Sequence, residues 1–368
     1  MRKVPFFDYT RLYRRNRKTY LEVIDNVLSR GAFILQRDVA QFESRLAQYV
    51  GAKHAIAVAD GTMALYLSLR SAGIGAGDEV IVSTHTFIAT CSAIVAVGAV
   101  PVPVDCTSDL MMSPDSASQA VTSATQAIMP TQLNGRTMRM EPIQAFAQDH
   151  GLSILEDSCQ GLGSRYKDRM AGTFGHAGTY SFYPAKVLGT FGDAGALVTD
   201  DDNTAEMVRQ MRDHGRDLDG FVRCWGVNGR MDNLHAAVLL EKMKSLDAAI
   251  EKRRLLAAVY QERLGHMAGL ELPPGPTSDS VHYDTFQNYE VQASRRNDLQ
   301  DYLRRRGVGT IRQWGGRMVH QLPELRLKAN APYADRLARR MLLLPLNDML
   351  DVADVEYVSD AIRGFYGD

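Results

Sequence analysis

Between residues 50 and 200, short apolar runs alternate along the chain with longer amphipathic stretches. The apolar runs predict buried strands at 80–82, 102–104, 127–129 and 153–155, and two more near 177–182 and 194–199. The amphipathic stretches predict helices at 63–73, 85–98, 139–150 and 202–213. Strands that alternate with helices form βαβ units. The pattern therefore predicts an α/β fold with a mainly parallel sheet.

After this region the pattern changes to a long amphipathic stretch from 231 to about 264, which predicts one connecting helix. A segment rich in proline, glycine and serine at 272–278 predicts a loop. Beyond it we predict a small α+β unit, with a strand at 286–291, a helix at 296–306 and a strand at 308–311. We therefore expect a large domain of residues 1–245 and a smaller C-terminal domain of residues 246–368, against which the N-terminal segment is able to pack.

A chain of 368 residues is longer than one typical core requires, which agrees with two domains. Its formal net charge is −1, so it carries no basic footprint for nucleic acid or for an anionic membrane surface. The arginine-rich stretch at 11–17 is interrupted by Leu12, Tyr13 and Asn16, which favours a solvated helix face over a binding arm. We expect neither a nucleic-acid partner nor a membrane partner.

The four cysteines show no CxxC spacing, and the histidines at 176, 214 and 320 share no metal-ligand spacing. These patterns predict neither a disulfide framework nor a metal site. The first residues lack the apolar core of a signal peptide, and no run of about twenty apolar residues occurs. We expect a soluble, cytoplasmic protein.

The most informative pair of residues is Lys186 and Asp157. Lys186 follows an aromatic, proline-bounded run at 180–185, where partial desolvation would lower the lysine pKa and make the amine nucleophilic. Asp157 ends a predicted strand, where the ligand groups of α/β sheets gather. An amine for a Schiff base and a carboxylate for a pyridine nitrogen are what pyridoxal 5′-phosphate (PLP) requires. Alone, each has an ordinary alternative, a solvated lysine and a strand-end cap.

Further residues offer contacts to the rest of such a cofactor. Gly61 and Thr62 follow an apolar run and open a helix, which makes an anion seat, although an ordinary helix cap has the same pattern. Ser181 adds a hydroxyl. Gln160 is a candidate for the phenolic oxygen of the ring and Phe87 for one face of the ring, with a loop residue and a core residue as the alternatives.

Taken in order, these segments resemble the DegT-type nucleotide-sugar aminotransferases, PLP enzymes with the aspartate aminotransferase fold. The resemblance is carried by residues 4–8, 31–35, 61–62, 84–87, 156–160, 181–186, 192–196 and 226–232. It implies PLP fold type I, with a mainly parallel seven-stranded sheet flanked by helices in the large domain and a smaller C-terminal α+β domain.

The resemblance also implies roles for individual residues. Lys186 and Asp157 would be catalytic, with Lys186 attached to the cofactor and Asp157 at its pyridine nitrogen. The remaining cofactor contacts would be Gly61, Thr62, Phe87, Gln160, Ser181 and Asn228. Asn228 matches an asparagine that reaches the phosphate from the neighbouring subunit. The family therefore implies a homodimer with shared active sites.

The same resemblance suggests the reaction. Lys186 stands where related dehydratases have histidine, which argues for transamination. Tyr183 and the pair Gly192-Asp193 are typical of branches that act at C3 of the sugar. We therefore expect amination of a nucleotide-linked 3-keto-deoxysugar, with L-glutamate as amino donor, in amino-sugar biosynthesis.

Candidate substrate contacts are Tyr183, Arg230, Arg312, Arg317 and His320. The arginines offer bidentate contacts to a diphosphate, although solvation explains each of them equally well. The segments 131–135 and 312–320 depart from the commoner family patterns, which leaves the substrate open. The alternatives are 4-keto amination, dehydration or other PLP chemistry on a sugar or cyclitol, and a non-catalytic regulator with the same fold.

Overall fold

The computed structural model describes residues 2–367 of the chain. The strands are β1 His54–Val58, β2 Glu79–Ser83, β3 Val100–Val104, β4 Thr125–Met129, β5 Ser153–Asp157, β6 Arg165–Tyr166, β7 Arg169–Met170, β8 Ala177–Ser181, β9 Gly195–Thr199, β10 Leu270–Glu271, β11 His282–Tyr283, β12 Tyr289–Ala293 and β13 Met341–Leu344. The helices are α1 Tyr9–Ser29, α2 Arg37–Val50, α3 Gly61–Ser71, α4 Ile88–Ala96, α5 Pro114–Ala120, α6 Glu141–His150, α7 Asp202–Arg212, α8 Asn233–Met243, α9 Leu246–Leu264, α10 Arg296–Arg305, α11 Pro332–Arg340 and α12 Val352–Tyr366. Short 3₁₀ turns lie at Gln313–Gly316, Val319–Gln321 and Pro323–Leu325. Within residues 2–367, none of the helices has the length and apolarity needed to cross a bilayer.

The main sheet has seven strands in the order β1-β9-β8-β5-β4-β2-β3. Only β9 runs against the others, since it pairs antiparallel with both β8 and β1. Side chains alternate across this sheet. Ile56 and Val58 pack with α3, α4 and α7 on one face, while Ala55 and Ala57 pack with α2 and α8 on the other. The predicted α/β class with a mainly parallel, seven-stranded sheet is confirmed.

The direction of the strands decides where polar side chains meet. Because β1, β2, β4, β5 and β8 run in parallel, their carboxyl ends share one edge of the sheet. That edge carries the start of α3, the loop at 84–87, the loop at 130–134, and the segments that follow Asp157 and Ser181. Segments far apart in sequence are thereby brought to one place.

A second sheet, β10-β12-β13, is antiparallel and packs with α9, α10 and α12 around its own apolar cluster. Val4 is fully buried in this cluster and exchanges backbone hydrogen bonds with the loop at 307–309. The N-terminal segment therefore contacts the C-terminal elements. The division at residue 245 stays a prediction, and its outermost residues, 1 and 368, lie outside the described part of the chain.

Two element predictions were wrong. The single helix at 231–264 is two helices, α8 and α9, because Ser245 has non-helical backbone angles (φ −118°, ψ 11°). The two helices pack mainly into different apolar clusters. The strand at 308–311 is absent, since Val308 and Ile311 make only isolated bridges, to Val4 and Leu343. The strand that joins the second sheet after α10 is β13, which pairs antiparallel with β12.

Candidate active site

A cavity of about 600 Å³ opens at the carboxyl edge of the main sheet. It is lined by Asp60, Gly61, Thr62, Leu65, Phe87, Ala89, Thr131, Leu133, Asp157, Cys159, Gln160, Ser181, Tyr183, Lys186, Asp193 and Trp314. The structure therefore brings together eight of the residues that the sequence singled out. They are Gly61, Thr62, Phe87, Asp157, Gln160, Ser181, Tyr183 and Lys186.

Lys186 is held by the turn that follows β8. Its backbone N–H donates to the Tyr183 carbonyl at 2.9 Å, and the amide of Gln287 bridges the Ala185 carbonyl and the Val187 N–H at 2.9 and 2.8 Å. Desolvation lowers the pKa of Lys186, and the nearby Asp157 carboxylate opposes that shift. Lys186 keeps some accessible surface because it lines the cavity. It is thus a partly desolvated amine in reach of a ligand.

Asp157 is fixed by hydrogen bonds on both carboxylate oxygens. The Thr90 hydroxyl donates to Oδ2 at 2.6 Å, and the Cys159 N–H donates to Oδ1 at 3.2 Å. Backbone bonds to Pro130 and Gln132, both 2.9 Å, pin the strand end. Asp157 is only 4% exposed, so its carboxylate is placed to meet a group inside the cavity.

A series of hydrogen-bonded threonine hydroxyl groups ends at Asp157 and holds its carboxylate in place. The Thr90 hydroxyl donates its hydrogen bond to Asp157, so it accepts one from Thr86 (2.7 Å). Thr86 in turn accepts a hydrogen bond from Thr131 (2.9 Å). These threonines come from the loop after β2, from α4 and from the loop after β4. Thr90 was not among the residues predicted from the sequence. The available signal was the spacing of Thr86 and Thr90, four residues apart at the start of a helix.

The start of α3 provides an anion seat. Asp60 caps the helix by accepting the Met63 N–H at 2.8 Å, while the first-turn N–H groups of Gly61 and Thr62 have no carbonyl partner within the helix. A Cβ at Gly61 would lie 2.9 Å from Ser181 Cβ and 3.0 Å from Cys159 Sγ, so this position requires glycine. Free amides, a helix dipole and the Ser181 hydroxyl fit a phosphate group.

Glu156, the neighbour of Asp157, is fully buried and does not line the cavity. Its carboxylate accepts hydrogen bonds from Gln132 Nε2 (2.7 Å) and from the N–H groups of Gly172 (2.9 Å), Phe174 (2.5 Å) and Gly175 (3.1 Å). Burial raises the pKa of Glu156, and these bonds oppose the shift. Strand alternation thus separates a ligand-facing carboxylate from a structural one.

Trp314 enters the cavity from the segment at 312–320, where the sequence departs from the commoner family pattern. Its backbone is left-handed (φ 49°), and its ring lies 6.4 Å from that of Phe87 and 5.1 Å, edge to face, from that of His85. Leu65, Ala89 and Leu133 extend the apolar wall, as shown by the cavity lining. The departure from the family pattern was the only sequence signal for Trp314.

The remaining candidates do not line this cavity: Asn228, Arg230, Arg312, Arg317 and His320. Arg230 pairs with Asp213 at 3.1 Å, and Arg312 donates to Gln300 at 2.7 Å. His320 meets Asp335 at 3.1 Å. Their roles in binding stay predictions.

Comparison with known proteins identifies the family. The model of the DegT/DnrJ/EryC1/StrS aminotransferase family matches residues 14–363. The chain belongs to this family. The resemblance read from the sequence is confirmed, and the matched residues include every strand from β1 to β13 and the lining of the cavity.

Two similar proteins have names that describe different functions. A dTDP-3-amino-3,4,6-trideoxy-alpha-D-glucose transaminase of Streptomyces venezuelae is 36% identical over 367 residues, covering 98% of this chain and 96% of that protein. A pleiotropic regulatory protein of Geobacillus stearothermophilus is 35% identical over 374 residues, covering 99% and 98%.

Solved structures agree with the fold in detail. S. venezuelae DesV, in complex with a ketimine intermediate, matches over 100% of both chains with a TM-score of 0.95 and 35% identity. NtdA from Bacillus subtilis, with the bound cofactor PMP, matches 100% of this chain and 86% of that chain, with a TM-score of 0.91 and 28% identity. As a member of the DegT/DnrJ/EryC1/StrS family, the protein is an aminotransferase.

Proposed function

We propose that this protein is a PLP-dependent transaminase that aminates a nucleotide-linked 3-keto-deoxysugar with L-glutamate as amino donor. The observation that carries the proposal is the meeting of Lys186, Asp157 and the anion seat at Gly61 in one cavity. When bound, PLP supplies an electron sink for a carbanion at the substrate Cα. The pyridoxamine-bound NtdA and the DesV complex support the same cofactor here.

The residues of this chain then have separate tasks. Lys186 would attach the cofactor at rest, and its free amine would move a proton between the substrate Cα and the cofactor C4′ atom. Asp157, held by Thr90, keeps the pyridine nitrogen protonated. Gly61, Thr62 and Ser181 bind the phosphate. Phe87 would cover one face of the ring, and Gln160 would meet its phenolic oxygen.

The substrate class rests on the relatives and on Tyr183. A transaminase named for a dTDP-3-amino sugar is 36% identical over almost the whole chain. Tyr183 lines the cavity beside Lys186, and Asp193 of the Gly192-Asp193 pair lines it as well. These positions support amination at C3 of a sugar linked to a nucleoside diphosphate. Arg312, Arg317 and His320 are candidate contacts to that substrate. The reaction would belong to an amino-sugar pathway in the cytoplasm.

A homodimer with shared active sites is part of the proposal. The segment at 216–225 exposes large apolar side chains, with Leu218 99% and Trp225 90% exposed, together with Phe221 and Val222. Such a cluster is unusual on a monomer surface. Asn228 and Arg230 follow directly on the same segment and do not reach the cavity of their own protomer. A second copy would cover the apolar cluster and receive these side chains.

The proposal is tested with purified, cofactor-loaded enzyme. L-Glutamate alone should discharge the visible absorbance band, and a 3-keto-deoxysugar linked to dTDP or UDP should restore it, which separates the two half-reactions. A matched 4-keto sugar on the same nucleotide should restore it at least ten times more slowly. A band that no amino acid discharges would instead favour the regulator, and faster turnover of the 4-keto sugar would overturn the C3 assignment.

Thr90→Val should weaken cofactor binding. The valine has nearly the same shape but cannot donate to Asp157, which loses one of its two side-chain hydrogen bonds. A hydrogen bond to a charged group contributes about 1.5–3 kcal/mol, so we expect the PLP dissociation constant to rise about tenfold or more. Equilibrium titration by absorbance measures it. Thr90→Ser, which retains the hydroxyl, is the matched control, and equal affinities for Thr90→Val and Thr90→Ser would refute the role.

A further inference from the structure

A buried group of polar side chains lies between the two sheets and takes no part in the chemistry proposed above. Glu290 on β12 is 2% exposed, and His85 in the loop after β2 is fully buried. Glu290 Oε2 lies 3.5 Å from His85 Nε2, which is too long for a strong hydrogen bond, and accepts from Asn134 Nδ2 at 2.7 Å. Within residues 2–367, the Asn134 bond is the one hydrogen bond to the Glu290 side chain. A buried carboxyl group with so few partners requires an explanation.

Asn134 connects this acid to the cavity. Its backbone is left-handed (φ 56°), a conformation that asparagine adopts more readily than most residues. Its backbone N–H donates to Gln160 Oε1 at 2.9 Å. Asn288 Nδ2 donates both to Asn134 Oδ1, at 3.0 Å, and to Gln160 Oε1, at 3.3 Å. Hydrogen bonds therefore run without a break from Glu290 to Gln160, which lines the cavity.

The backbone N–H of Asn134 fixes the orientation of the Gln160 amide. A backbone N–H only donates, so the Gln160 atom that it meets must be the oxygen. If the amide were reversed, its NH₂ group would face two donors, from Asn134 and Asn288. Within residues 2–367, Gln160 Nε2 donates to no protein acceptor, and it is left for a ligand in the cavity.

We propose that Glu290 is a positioning residue that acts through Asn134 and Asn288 to keep the Gln160 amide nitrogen directed at the cofactor. A donor, and not an acceptor, then meets the anionic phenolic oxygen of the ring. The inference rests on the proposed PLP chemistry. Asn134 lies in the segment at 131–135, which departs from the commoner family pattern.

The charge state of the group is consistent with a purely orienting role. Burial raises the pKa of Glu290 to about 8, against the opposing effect of the Asn134 hydrogen bond. Burial lowers the pKa of His85 to about 3. Near neutral pH both side chains are therefore mainly uncharged. Glutamine at position 290 would accordingly be a close mimic of the native side chain.

The test is a visible absorbance titration of the cofactor-bound enzyme against pH. The midpoint of this titration is the pKa of the nitrogen that joins Lys186 to the cofactor. A hydrogen-bond donor beside the phenolic oxygen stabilises the negative charge of that oxygen and thereby lowers this pKa. Asn288→Leu removes one of the two donors to Gln160 Oε1, and Glu290→Leu removes the acceptor that holds the Asn134 side chain. Either change weakens the hold on the Gln160 amide, so we expect the midpoint to rise by up to about one pH unit, a tenfold change in the equilibrium. Glu290→Gln keeps a neutral acceptor for Asn134 and should retain the native midpoint.

Two controls separate orientation from general damage to the fold. Gln292→Leu removes a buried amide two positions further along β12. The native Gln292 Nε2 donates to the Tyr333 hydroxyl at 3.1 Å, and this side chain does not line the cavity. The substitution should lower the unfolding temperature and leave the midpoint unchanged. In a Gln160→Leu background, Glu290→Leu and Asn288→Leu should cause no further shift, because the residue through which they act is gone.

Three results would overturn the inference. These are an unchanged midpoint in Asn288→Leu, an equal shift in Glu290→Gln and Glu290→Leu, and shifts that persist in the Gln160→Leu background. If Glu290→Leu does not fold, Asn288→Leu at its half-buried position decides the matter. Failure of the proposed function is distinguishable from failure of this inference. A visible band that titrates but that no amino acid discharges would refute the transaminase and leave the positioning role open to the same titration, whereas an unmodified enzyme with no visible band would refute both.

Discussion

Lys186→Ala should lose transamination by roughly 10⁴-fold while it still binds PLP. The phosphate seat at Gly61, Thr62 and Ser181 and the carboxylate of Asp157 are untouched, so the cofactor retains its non-covalent contacts. What disappears is the amine that attaches the cofactor and moves the proton, and a positioned general base alone contributes about 10²–10⁴ in rate. Single-turnover absorbance with L-glutamate measures the loss. Borohydride reduction and peptide mapping should place the label at Lys186 in the native enzyme.

Lys242 provides the matched control for Lys186. It is a second partly desolvated lysine, whose pKa burial lowers to about 8, but its ammonium lies 4.8 Å from the Phe191 ring and donates to the Gly189 carbonyl, and it does not line the cavity. Lys242→Met should keep the label on Lys186 and turnover within about tenfold of native. A native enzyme labelled elsewhere, or full turnover by Lys186→Ala, would end the assignment.

Asp157→Asn should lower the rate of the half-reaction with L-glutamate by about 10³-fold. Asparagine preserves the size of the side chain and an acceptor for Thr90, but carries no negative charge to hold the pyridine nitrogen protonated. Removal of one preorganised electrostatic partner costs about 10²–10³ in rate at comparable sites. Stopped-flow absorbance follows the step directly, and the affinity for PLP should fall as well.

Glu156→Gln tests whether the lower rate of the half-reaction is specific to loss of the carboxylate that lines the cavity. Glu156 is the adjacent residue on β5, equally buried, and its hydrogen bonds go to Gln132 and to the loop at 172–175. We expect a lower unfolding temperature with a half-reaction rate within about tenfold of native. Comparable kinetic losses in Glu156→Gln and Asp157→Asn would contradict a specific role for Asp157.

Within this site, geometry explains why two neighbouring acids differ so much. Asp157 and Glu156 alternate across a strand, so one faces the cavity and the other faces backbone amides. Asn134, in the loop after β4, and Glu290, on β12 of the second sheet, are brought together only by the fold. Thr90 and Asp157 are 67 positions apart in sequence, and Asn134 and Glu290 are 156 positions apart.

The sequence alone determined the fold class and the centre of the site. Alternating apolar and amphipathic runs are local properties, and they predicted the parallel sheet. Lys186, Asp157 and Gly61 each have an ordinary alternative when taken alone, and their joint occurrence, in order with the other family-like segments, predicted the cofactor site. The break between α8 and α9 was missed, because amphipathic periodicity continues across Ser245 and only packing into two clusters separates the helices.

Only the tertiary structure decided which other side chains support that centre. Thr90, Trp314 and Glu290 are unremarkable in sequence, because a threonine, a tryptophan and a glutamate have many uses. Their roles come from the shared edge of parallel strands and from the approach of the second sheet, which set distances that no local pattern encodes. Local periodicity reports how a segment is buried, whereas long-range packing selects the partner it is buried against.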